Sequence, residues 1–385
     1  MAKKILITYV EAGMGHITTA QAIADALKQY PNEDVEIIEK NIFHTHEKLK
    51  KYEQFLINET KKASSNMLHS RTQLLSMHLF GAQNTLKFVN GFVFKKQRDL
   101  YVEELKKINP DVIVDTHYFC AYASVTYRNK FNKKCKVVTY NPDNNVHGWW
   151  DKRVDHFIVN NPLAYEQACG GGRLDKQKVK EVFFITRQGV VDANETKEFY
   201  RDKYGIPQDK FAVKLADGMY AKAKLKLFVY ELIKSEKEMT IVAIAGKNKE
   251  LYDELVALKP TLPKNINLMP FEFEPAVYEI CKACDLFITK GGPNAVLDSV
   301  FMQTPIVINY YANNIEKTTR QLFVDKLGCG VEIKNKVKAR KFVEDCIDNP
   351  KLLERYIENE KKLDKNKNGA QEVAKFLLEV VEDKK

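Results

Sequence analysis

The sequence lacks the features of several large classes of protein. No stretch of its 385 residues approaches the roughly 18 uninterrupted apolar residues that a membrane-spanning helix needs. The start, MAKKILITYVEAG, runs from two lysines into a strand-like apolar segment, without the core and cleavage site of a signal peptide. These absences predict a soluble or peripheral protein of the cytoplasm.

Cysteine is scarce and forms no framework. The seven cysteines are scattered and odd in number, which argues against a set of disulfides. Cys281 and Cys284 form a C-x-x-C pair without a partner pair, so we expect two buried helix residues. No metal site is predicted, because acids and cysteines do not complete a cluster around the histidines with possible ligand spacing. These are His44, His46, His69, His78, His117 and His147.

The composition is typical of a folded protein with two domains. Hydrophobic residues make up 44% and charged residues 29%, and 385 residues exceed one ordinary core. The net charge of +10 suits nucleic acid, anionic lipid headgroups or a diphosphate ligand. The chain contains no recognisable nucleic-acid-binding module, so nucleic acid is not the predicted partner.

Apolar strands alternate with helices in two successive series. The first series has the strands KILITYV, DVEIIEK, DVIVDTH, CKVVTYNP and HFIVNN, a helix over residues 18–30 and a long helical region from about 45 to 108. The second has FAVKLAD, TIVAIAG, INLMPF, DLFITKGG and PIVINYY. Such alternation predicts an α/β fold with parallel, doubly wound sheets. We expect two Rossmann-like domains, 1–190 and 191–365, facing a central cleft, and a helix in 366–385 that packs back on the first domain.

The first loop between a strand and a helix carries a candidate for proton transfer. It reads Glu11-Ala12-Gly13-Met14-Gly15-His16, and its glycines allow a tight turn and close approach of a ligand. A dinucleotide site would need a third glycine where Thr18 or Thr19 stands. His16 instead sits where a reacting hydroxyl can reach it. A purely structural turn is the alternative.

The strongest motif is Ile288-Thr289-Lys290-Gly291-Gly292-Pro293-Asn294, with Asp298 one helical turn later. Its glycines expose backbone amides, and Pro293 suits the first turn of a helix whose N-terminus can hold a diphosphate. Asp298 can accept hydrogen bonds from ribose. Ala245-Gly246-Lys247-Asn248 and Phe271-Glu272 close two neighbouring strands, at the ends where open α/β sheets bind ligands. The alternative is an ordinary loop with a capped helix.

Three ordered blocks resemble the family of monogalactosyl- and glucosyl-diacylglycerol synthases, which is related to the lipid-II N-acetylglucosaminyltransferase. They are EAGMGHITTAQAIADAL, the segment from Val137 to Trp150, and the segment from TIVAIAGKNKEL through DLFITKGGPNAVLDSVFMQTPIVIN. The similarity spans about residues 3–40 and 110–335. It implies the GT-B architecture, a UDP-sugar donor and inverting transfer without a catalytic metal. Consistently, the chain contains no D-x-D motif.

The resemblance also implies roles for individual residues. It places Gly15 and His16 at the acceptor and makes Asp143 or His16 the base. It implies that Glu316 contacts the sugar and that six residues hold UDP. These six are Gly246, Asn248, Phe271, Gly292, Pro293 and Asp298.

The chain departs from the family pattern at three places. Ile315 stands where the family has a glutamine, and a glycine-rich loop is reduced to Ala216-Asp217-Gly218-Met219. The segment before Asp143 needs a short insertion to align. A degenerate homologue that binds UDP-sugar without turnover is therefore an alternative.

Residues 74–96, LLSMHLFGAQNTLKFVNGFVFKK, combine apolar and basic side chains. Such a segment suits insertion at an anionic membrane surface, although a pair of core helices with solvated lysines has the same pattern. The resemblance favours membrane contact. The apolar side chains are Leu75, Leu79, Leu86, Phe88, Val89, Phe92 and Phe94, and the basic ones are Lys87, Lys95, Lys96 and Arg98.

The sequence therefore predicts an inverting glycosyltransferase of glycolipid synthesis. It would move a hexose from UDP-glucose or UDP-galactose to a membrane lipid, diacylglycerol by resemblance, at the cytoplasmic face of the membrane. A transferase with a soluble or polyprenyl-linked acceptor and an epimerase of UDP-N-acetylglucosamine are alternatives within enzymes.

Overall fold

The computed structural model describes residues 2–11, 14–30, 34–65, 82–170, 173–218, 223–311 and 313–382. The chain divides into two compact units, of which the first contains Met1–Arg187 and Lys367–Lys385 and the second contains Gln188–Asn366. Residues 74–81 of the predicted membrane segment, and with them Leu75 and Leu79, lie outside the described residues.

Within the described residues, the first unit has one parallel sheet of six strands in the order β2-β1-β3-β4-β5-β6. Successive residues of the central strand β1 enter different cores, since Ile5 and Ile7 belong to one cluster and Leu6 to another. A strand covered on both faces must be apolar throughout, which explains the continuous runs in the sequence. The strands are β1 (Lys3–Thr8), β2 (Val35–Glu39), β3 (Val112–Asp115), β4 (Lys136–Tyr140), β5 (His156–Val159) and β6 (Val179–Glu181).

Helices cover both faces of this sheet. The helices before residue 187 are α1 (Met14–Lys28), α2 (Glu47–Ser65), α3 (Ala82–Phe88), α4 (Lys95–Ile108), α5 (Tyr118–Lys130) and α6 (Pro162–Cys169). A π-helical turn, Val89–Val93, joins α3 to α4. The helical region predicted from about residue 45 to 108 is thus divided into several segments.

The described part of the second unit also has one parallel sheet of six strands, in the order β12-β11-β10-β7-β8-β9. Every residue of β8 is buried, in keeping with its apolar sequence. The strands are β7 (Phe211–Ala216), β8 (Met239–Gly246), β9 (Ile266–Glu272), β10 (Leu286–Lys290), β11 (Ile306–Tyr310) and β12 (Gly330–Glu332). The predicted α/β fold with two parallel sheets is confirmed.

The helices of the second unit flank this sheet. They are α7 (Gln188–Asp192), α8 (Lys197–Tyr204), α9 (Ala223–Leu232), α10 (Lys249–Leu258), α11 (Val277–Ala283), α12 (Pro293–Phe301), α13 (Asn314–Arg320), α14 (Lys336–Asp348) and α15 (Lys351–Lys361). A second π-helical turn, Gln321–Lys326, follows α13.

The last helix, α16 (Gly369–Val381), belongs to the first unit. Val373, Ala374 and Leu377 join the core formed by α1 and the sheet. Gly369 begins the helix where an added Cβ would lie 2.0 Å from the Phe183 carbonyl oxygen, so only glycine fits at this junction.

The seven cysteines, all of them described, are free thiols, and Cys281 and Cys284 are buried. No helix within the described ranges is long and apolar enough to cross a membrane. Among the same residues, no group of three or more His, Cys, Asp or Glu side chains is arranged to hold a metal ion.

Candidate active site

Each sheet has a point at which the strand order reverses. In the first unit the chain passes from β1 to β2 and then returns to β3 on the other side of β1. In the second unit β7 has β8 on one side and β10 on the other. Open α/β sheets bind ligands at such points, beyond the carboxyl ends of the strands. We call the region after β1 and β3 the first crevice, and the region after β7 and β10 the second crevice.

His16 lies in the first crevice, in the first turn of α1. Its Nδ1–H donates to the carbonyl oxygen of Thr116, directly after β3, at 2.6 Å. The Thr116 hydroxyl donates in return to the His16 carbonyl oxygen, at 3.3 Å. The bond to Thr116 fixes the tautomer, because a carbonyl oxygen requires a donor. Burial lowers the pKa of His16, so the ring is neutral at pH 7 with a proton-accepting lone pair on Nε2.

Two histidines that the sequence did not single out as catalytic stand beside His16. The ring of His117 is 5.0 Å from that of His16, and its Nδ1 accepts from the backbone N–H of Phe119 at 3.3 Å. His147 Nδ1 likewise accepts from the Trp149 N–H, at 3.3 Å. Both rings therefore carry their proton on Nε2, and the crevice holds one imidazole acceptor and two imidazole donors.

The environment keeps this group of histidines uncharged. Burial is the main reason that the pKa of His117 falls well below its usual value, and the rings of His16 and His147 lower it further. Burial likewise lowers the pKa of His147 to about 4, with further contributions from His16 and Arg173. A neutral set of this kind can order a hydroxyl group and remove its proton without first losing one to solvent.

Aromatic rings surround the histidines and connect them to α3. The Tyr118 ring is 4.2 Å from His117 and 5.2 Å from Trp149. Gln83 of α3 donates to the carbonyl oxygens of Gly148 and Trp150, both at 2.8 Å. The loop that carries His147 is therefore attached to the helix that leads into the exposed phenylalanines described below.

Asp143 follows β4, the strand next to β3. Burial raises the pKa of its half-buried carboxyl group to about 7. The Asn141 amide donates to the carbonyl oxygens of Asp143 and Asn145, each at 3.0 Å, and so holds the loop. A pKa near 7 suits proton transfer at neutral pH, and about half of the carboxyl groups are then in the carboxylate form that accepts a proton. Asp143 is therefore a second candidate base.

The second crevice is charged rather than neutral. Lys290 ends β10, and its Nζ lies 2.8 Å from the Glu316 Oε1, with side chains 16% and 5% exposed. Gly218 has a φ of +82°, and a Cβ there would lie 3.4 Å from Lys290 Cε. A Cβ on Gly291 would lie 2.5 Å from the Glu316 carbonyl oxygen. These two glycines allow the backbone and the ion pair to pack closely.

Asp217 adds a second carboxyl group beside the same lysine. It follows β7, its side chain is buried, and its Oδ2 has no hydrogen-bond partner among the described residues, which exclude 219–222. Burial is the main cause that raises its pKa to about 7, and Glu316 acts in the same direction, whereas Lys290 opposes the shift. Among the described residues of the second crevice, two buried carboxyl groups thus lie near Lys290.

The residues predicted to hold UDP lie at the ends of strands β8, β9 and β10 of the second sheet or in the helix that follows; β8 and β9 are neighbours, whereas β7 separates β8 from β10. Gly292 caps α12 and Pro293 occupies its first turn, and a Cβ on Gly292 would meet no atom within 4 Å. Gly246, with a φ of +64°, ends β8. Asn248 caps α10 by accepting from the Leu251 N–H at 3.1 Å.

Phe271 and Asp298 differ in their environment. Phe271 lies near the end of β9, with its ring 6.2 Å from that of Tyr204. Asp298 is buried within α12; burial is the main cause that raises the pKa of the neighbouring Cys281 thiol, and the charge of Asp298 acts in the same direction. The predicted residues that meet at the second crevice are therefore Gly292, Pro293 and Glu316.

The predicted membrane segment exposes two of its three predicted aromatic residues. Phe88 is 61% and Phe92 75% exposed, and their rings stack at 5.8 Å. Phe94 instead packs on Tyr52, with ring centroids 4.4 Å apart. Arg98 is buried and donates to the Asn90 and Gly91 carbonyl oxygens, each at 3.4 Å. The exposed lysines beside the two rings are Lys87, Lys95 and Lys96.

Comparison with known proteins assigns both halves of the chain. Residues 16–182 match the family model of monogalactosyldiacylglycerol (MGDG) synthase, and residues 209–377 match that of the glycosyltransferase family 28 C-terminal domain. Monogalactosyldiacylglycerol synthase 2 of Arabidopsis thaliana is 25% identical over 346 residues, which cover 86% of this chain and 70% of the relative. A processive diacylglycerol beta-glucosyltransferase of Bacillus pumilus is 22% identical, with 98% and 95% covered.

Solved structures show the same fold at low identity. MurG of Acinetobacter baumannii superposes with a TM-score of 0.65 at 12% identity, covering 98% of this chain and 99% of that one. Arabidopsis thaliana UGT89C1 complexed with UDP gives a TM-score of 0.62, at 12% identity and the same coverage. The predicted GT-B fold is therefore confirmed.

Proposed function

The chain is a family 28 glycosyltransferase related to the glycolipid synthases, and we propose that it transfers a hexose from a UDP-sugar to the hydroxyl group of a membrane lipid, with diacylglycerol as the acceptor. The observation that carries the proposal is the fixed tautomer of His16. It leaves a basic nitrogen in the first crevice, and proton acceptance is the chemistry that an attacking hydroxyl needs.

We propose that the lipid hydroxyl oxygen attacks the anomeric carbon from the face opposite UDP, which inverts that carbon. The bond from the anomeric carbon to the diphosphate oxygen breaks, and its electron pair leaves with UDP. His16 Nε2 accepts the hydroxyl proton as the new bond forms, a step that typically contributes about 10²- to 10⁴-fold. The Nε2–H groups of His117 and His147 orient the hydroxyl oxygen.

The second crevice supplies the charge that the departing diphosphate needs. The N-terminus of α12 at Gly292 presents backbone N–H groups and the positive end of the helix dipole. The Lys290 ammonium group adds a positive charge at the end of β10. Preorganised groups of this kind lower the barrier without reorganising. We propose that they suffice without a catalytic metal.

The acceptor is proposed to arrive through the membrane surface. Phe88 and Phe92 are exposed side by side, and lysines surround them, as in segments that insert at anionic interfaces. The bonds from Gln83 connect the same helix to the loop of His147. We propose a peripheral protein at the cytoplasmic face, a reducing location that suits seven free thiols.

A UDP-release assay tests the reaction. UDP-glucose, UDP-galactose and UDP-N-acetylglucosamine are each supplied with and without diacylglycerol in anionic vesicles. The proposal expects release that depends on the lipid for one hexose donor, with a glycolipid as product. UDP binding without release would indicate a degenerate homologue, and a UDP-sugar product without lipid would indicate an epimerase.

Vesicle co-sedimentation tests the surface. We expect Phe92→Ser to reduce binding to anionic vesicles. Phe131→Ser is the matched control, because Phe131 is 52% exposed in the same unit and lies outside residues 74–96. Equal loss of binding in both variants, or in neither, would contradict the assignment of this surface.

A further inference from the structure

The second crevice contains an electrostatic conflict. Asp217 and Glu316 are buried acids. Lys290 forms an ion pair with Glu316, and its positive charge also favours the ionised form of Asp217. A diphosphate bound at the start of α12 would bring further negative charge to this point. Keeping a buried carboxyl group ionised beside a phosphate costs free energy, so binding of the diphosphate favours its protonated form.

Resting on the proposed function, we propose that Asp217 is a proton-linked residue of the donor site, and that it takes up a proton from solvent when the diphosphate of the UDP-sugar binds. The proton goes to Oδ2, a buried oxygen that no described residue hydrogen-bonds. Protonation removes one negative charge and turns this oxygen into a hydrogen-bond donor. No other bond is made or broken in this step.

The direction of the effect follows from the charges around Asp217. Lys290 on β10 and Lys224 on α9 favour its ionised form, and Glu316 on α13 opposes it. Tyr310 on β11 faces the same group and is held neutral, because burial and the carboxylates of Asp217 and Glu316 raise its pKa. Negative charge added beside Lys290 offsets the positive charge that stabilises the Asp217 carboxylate, so it favours protonation of Asp217.

The number of protons taken up depends on how far Asp217 is ionised in the free protein. Burial raises its pKa to about 7, so the carboxyl group is about half ionised in the free protein at neutral pH. A diphosphate raises that value further, so proton uptake is largest at a pH between the pKa of the free protein and the higher pKa of the complex, and it declines on either side. Affinity for the UDP-sugar therefore falls with rising pH by up to about tenfold per unit.

A purely structural role for Asp217 is tested by the choice of variant. The backbone N–H of Leu225, in the first turn of α9, donates to the Asp217 carboxylate, as in a helix cap. Asparagine caps helices as well as aspartate does, and it does not titrate. Asp217→Asn therefore preserves the packing and the cap while it removes the proton site.

Titration calorimetry with UDP-glucose and UDP-galactose, between pH 6 and 8.5, measures the proposal. Repeating each titration in buffers of different ionisation enthalpy gives the number of protons taken up. We expect uptake of at most about half a proton at pH 7, with a maximum at a higher pH that reports the pKa of the complex. Asp217→Asn should bind with little dependence on pH and no uptake.

Glu39→Gln is the matched control, because burial also raises the pKa of Glu39, which ends β2 in the first unit and has no part in the proposed reaction. It should leave the proton uptake unchanged. Uptake that persists in Asp217→Asn, or that is absent from the unmodified protein while a UDP-sugar binds, would overturn the inference. Failure of both UDP-sugars to bind at any pH would instead contradict the proposed function, so the two failures are distinguishable.

Discussion

The two crevices of this protein use the same architecture for opposite electrostatic purposes. Both lie where the strand order of a parallel sheet reverses. The first contains three imidazole rings held neutral by burial. The second contains an ion pair between Lys290 and Glu316, with Asp217 beside it. The difference indicates a site for moving a proton in one unit and a site for holding charge in the other.

This contrast depends on which backbone groups each crevice uses. In the first, carbonyl and N–H groups of the backbone bind the ring nitrogens and so fix the tautomers of His16, His117 and His147. In the second, glycines let the backbone approach the charged side chains. Substitutions in the first crevice should therefore affect turnover most, whereas substitutions in the second should affect donor binding and stability.

The largest expected effect is in the first crevice. His16→Ala removes the proton acceptor and should lower kcat by about 10²- to 10⁴-fold. Binding of the UDP-sugar should be retained, because His16 contacts the loop after β3 in its own unit. UDP-release kinetics and calorimetry measure the two quantities separately.

His46→Ala is the control for this experiment, because His46 is an exposed histidine of the same unit. Its turnover should match that of the unmodified enzyme. Turnover that survives in His16→Ala would remove this histidine from the mechanism and weaken the contrast between the crevices.

The second prediction removes the cation of the charged crevice. Lys290→Met leaves Glu316 and Asp217 buried without a positive charge between them, which costs about 3–5 kcal/mol for a broken buried pair. The variant should unfold at a lower temperature and bind UDP-sugars at least tenfold more weakly. Thermal unfolding and calorimetry test both effects.

The double variant Lys290→Met with Glu316→Gln separates the two causes. Removing the orphaned carboxylate should recover most of the stability, whereas donor binding should remain weak because the lysine is still absent. Recovery of binding together with stability would show that Lys290 acts only as a counter-ion of Glu316.

The third prediction compares two adjacent glycines of the second crevice. An alanine Cβ at position 291 would clash with the Glu316 carbonyl oxygen, so Gly291→Ala should lose about 1–3 kcal/mol of stability. Gly292→Ala has open space and should fold normally. If the diphosphate approaches the Gly292 amide, this second variant should nevertheless bind UDP-sugars more weakly. Equal stability of both variants would contradict the packing, and unchanged affinity in Gly292→Ala would move the donor elsewhere.

The fold could be predicted from the sequence where burial leaves a strong pattern. Interior strands such as β3 and β8 read as uninterrupted apolar runs because helices cover both of their faces. The edge strands β6, with the sequence VKE, and β12, with GVE, carry no such run and were missed. The π-helical turn at Val89–Val93 has no signal of its own in a pattern of helical spacing.

The sequence predicted those parts of the site that lie in loops marked by glycine and proline. His16 and Gly292 stand in such loops, at the ends of strands that are evident in the sequence. The sequence singles out His117 only for its possible metal-ligand spacing, and Asp217 only as a departure from the family's glycine-rich loop, because their partners come from segments about 100 and about 73 to 99 residues away. Those contacts depend on the order of the strands in the sheet, which the periodicity of apolar residues does not encode. Knowledge that β1 neighbours β3, and β7 neighbours β10, is the signal that would have found them.

The smallest effect decides between the two candidate bases of the first unit, His16 and Asp143. With the UDP-sugar saturating, kcat/KM for the lipid should fall with decreasing pH once the base of the enzyme–UDP-sugar complex is protonated. Burial lowers the pKa of His16 below its usual value of 6.5, whereas burial raises that of Asp143 to about 7. We therefore expect the rate to stay level through pH 6.5 and to decline, by about tenfold per unit, only at lower pH. Asp143→Asn should leave this acid limb in place, since the proton acceptor is the imidazole. A limb centred near pH 7 that disappears in Asp143→Asn would transfer the role of base to the carboxylate, and the neutral histidines would then serve only to orient the hydroxyl.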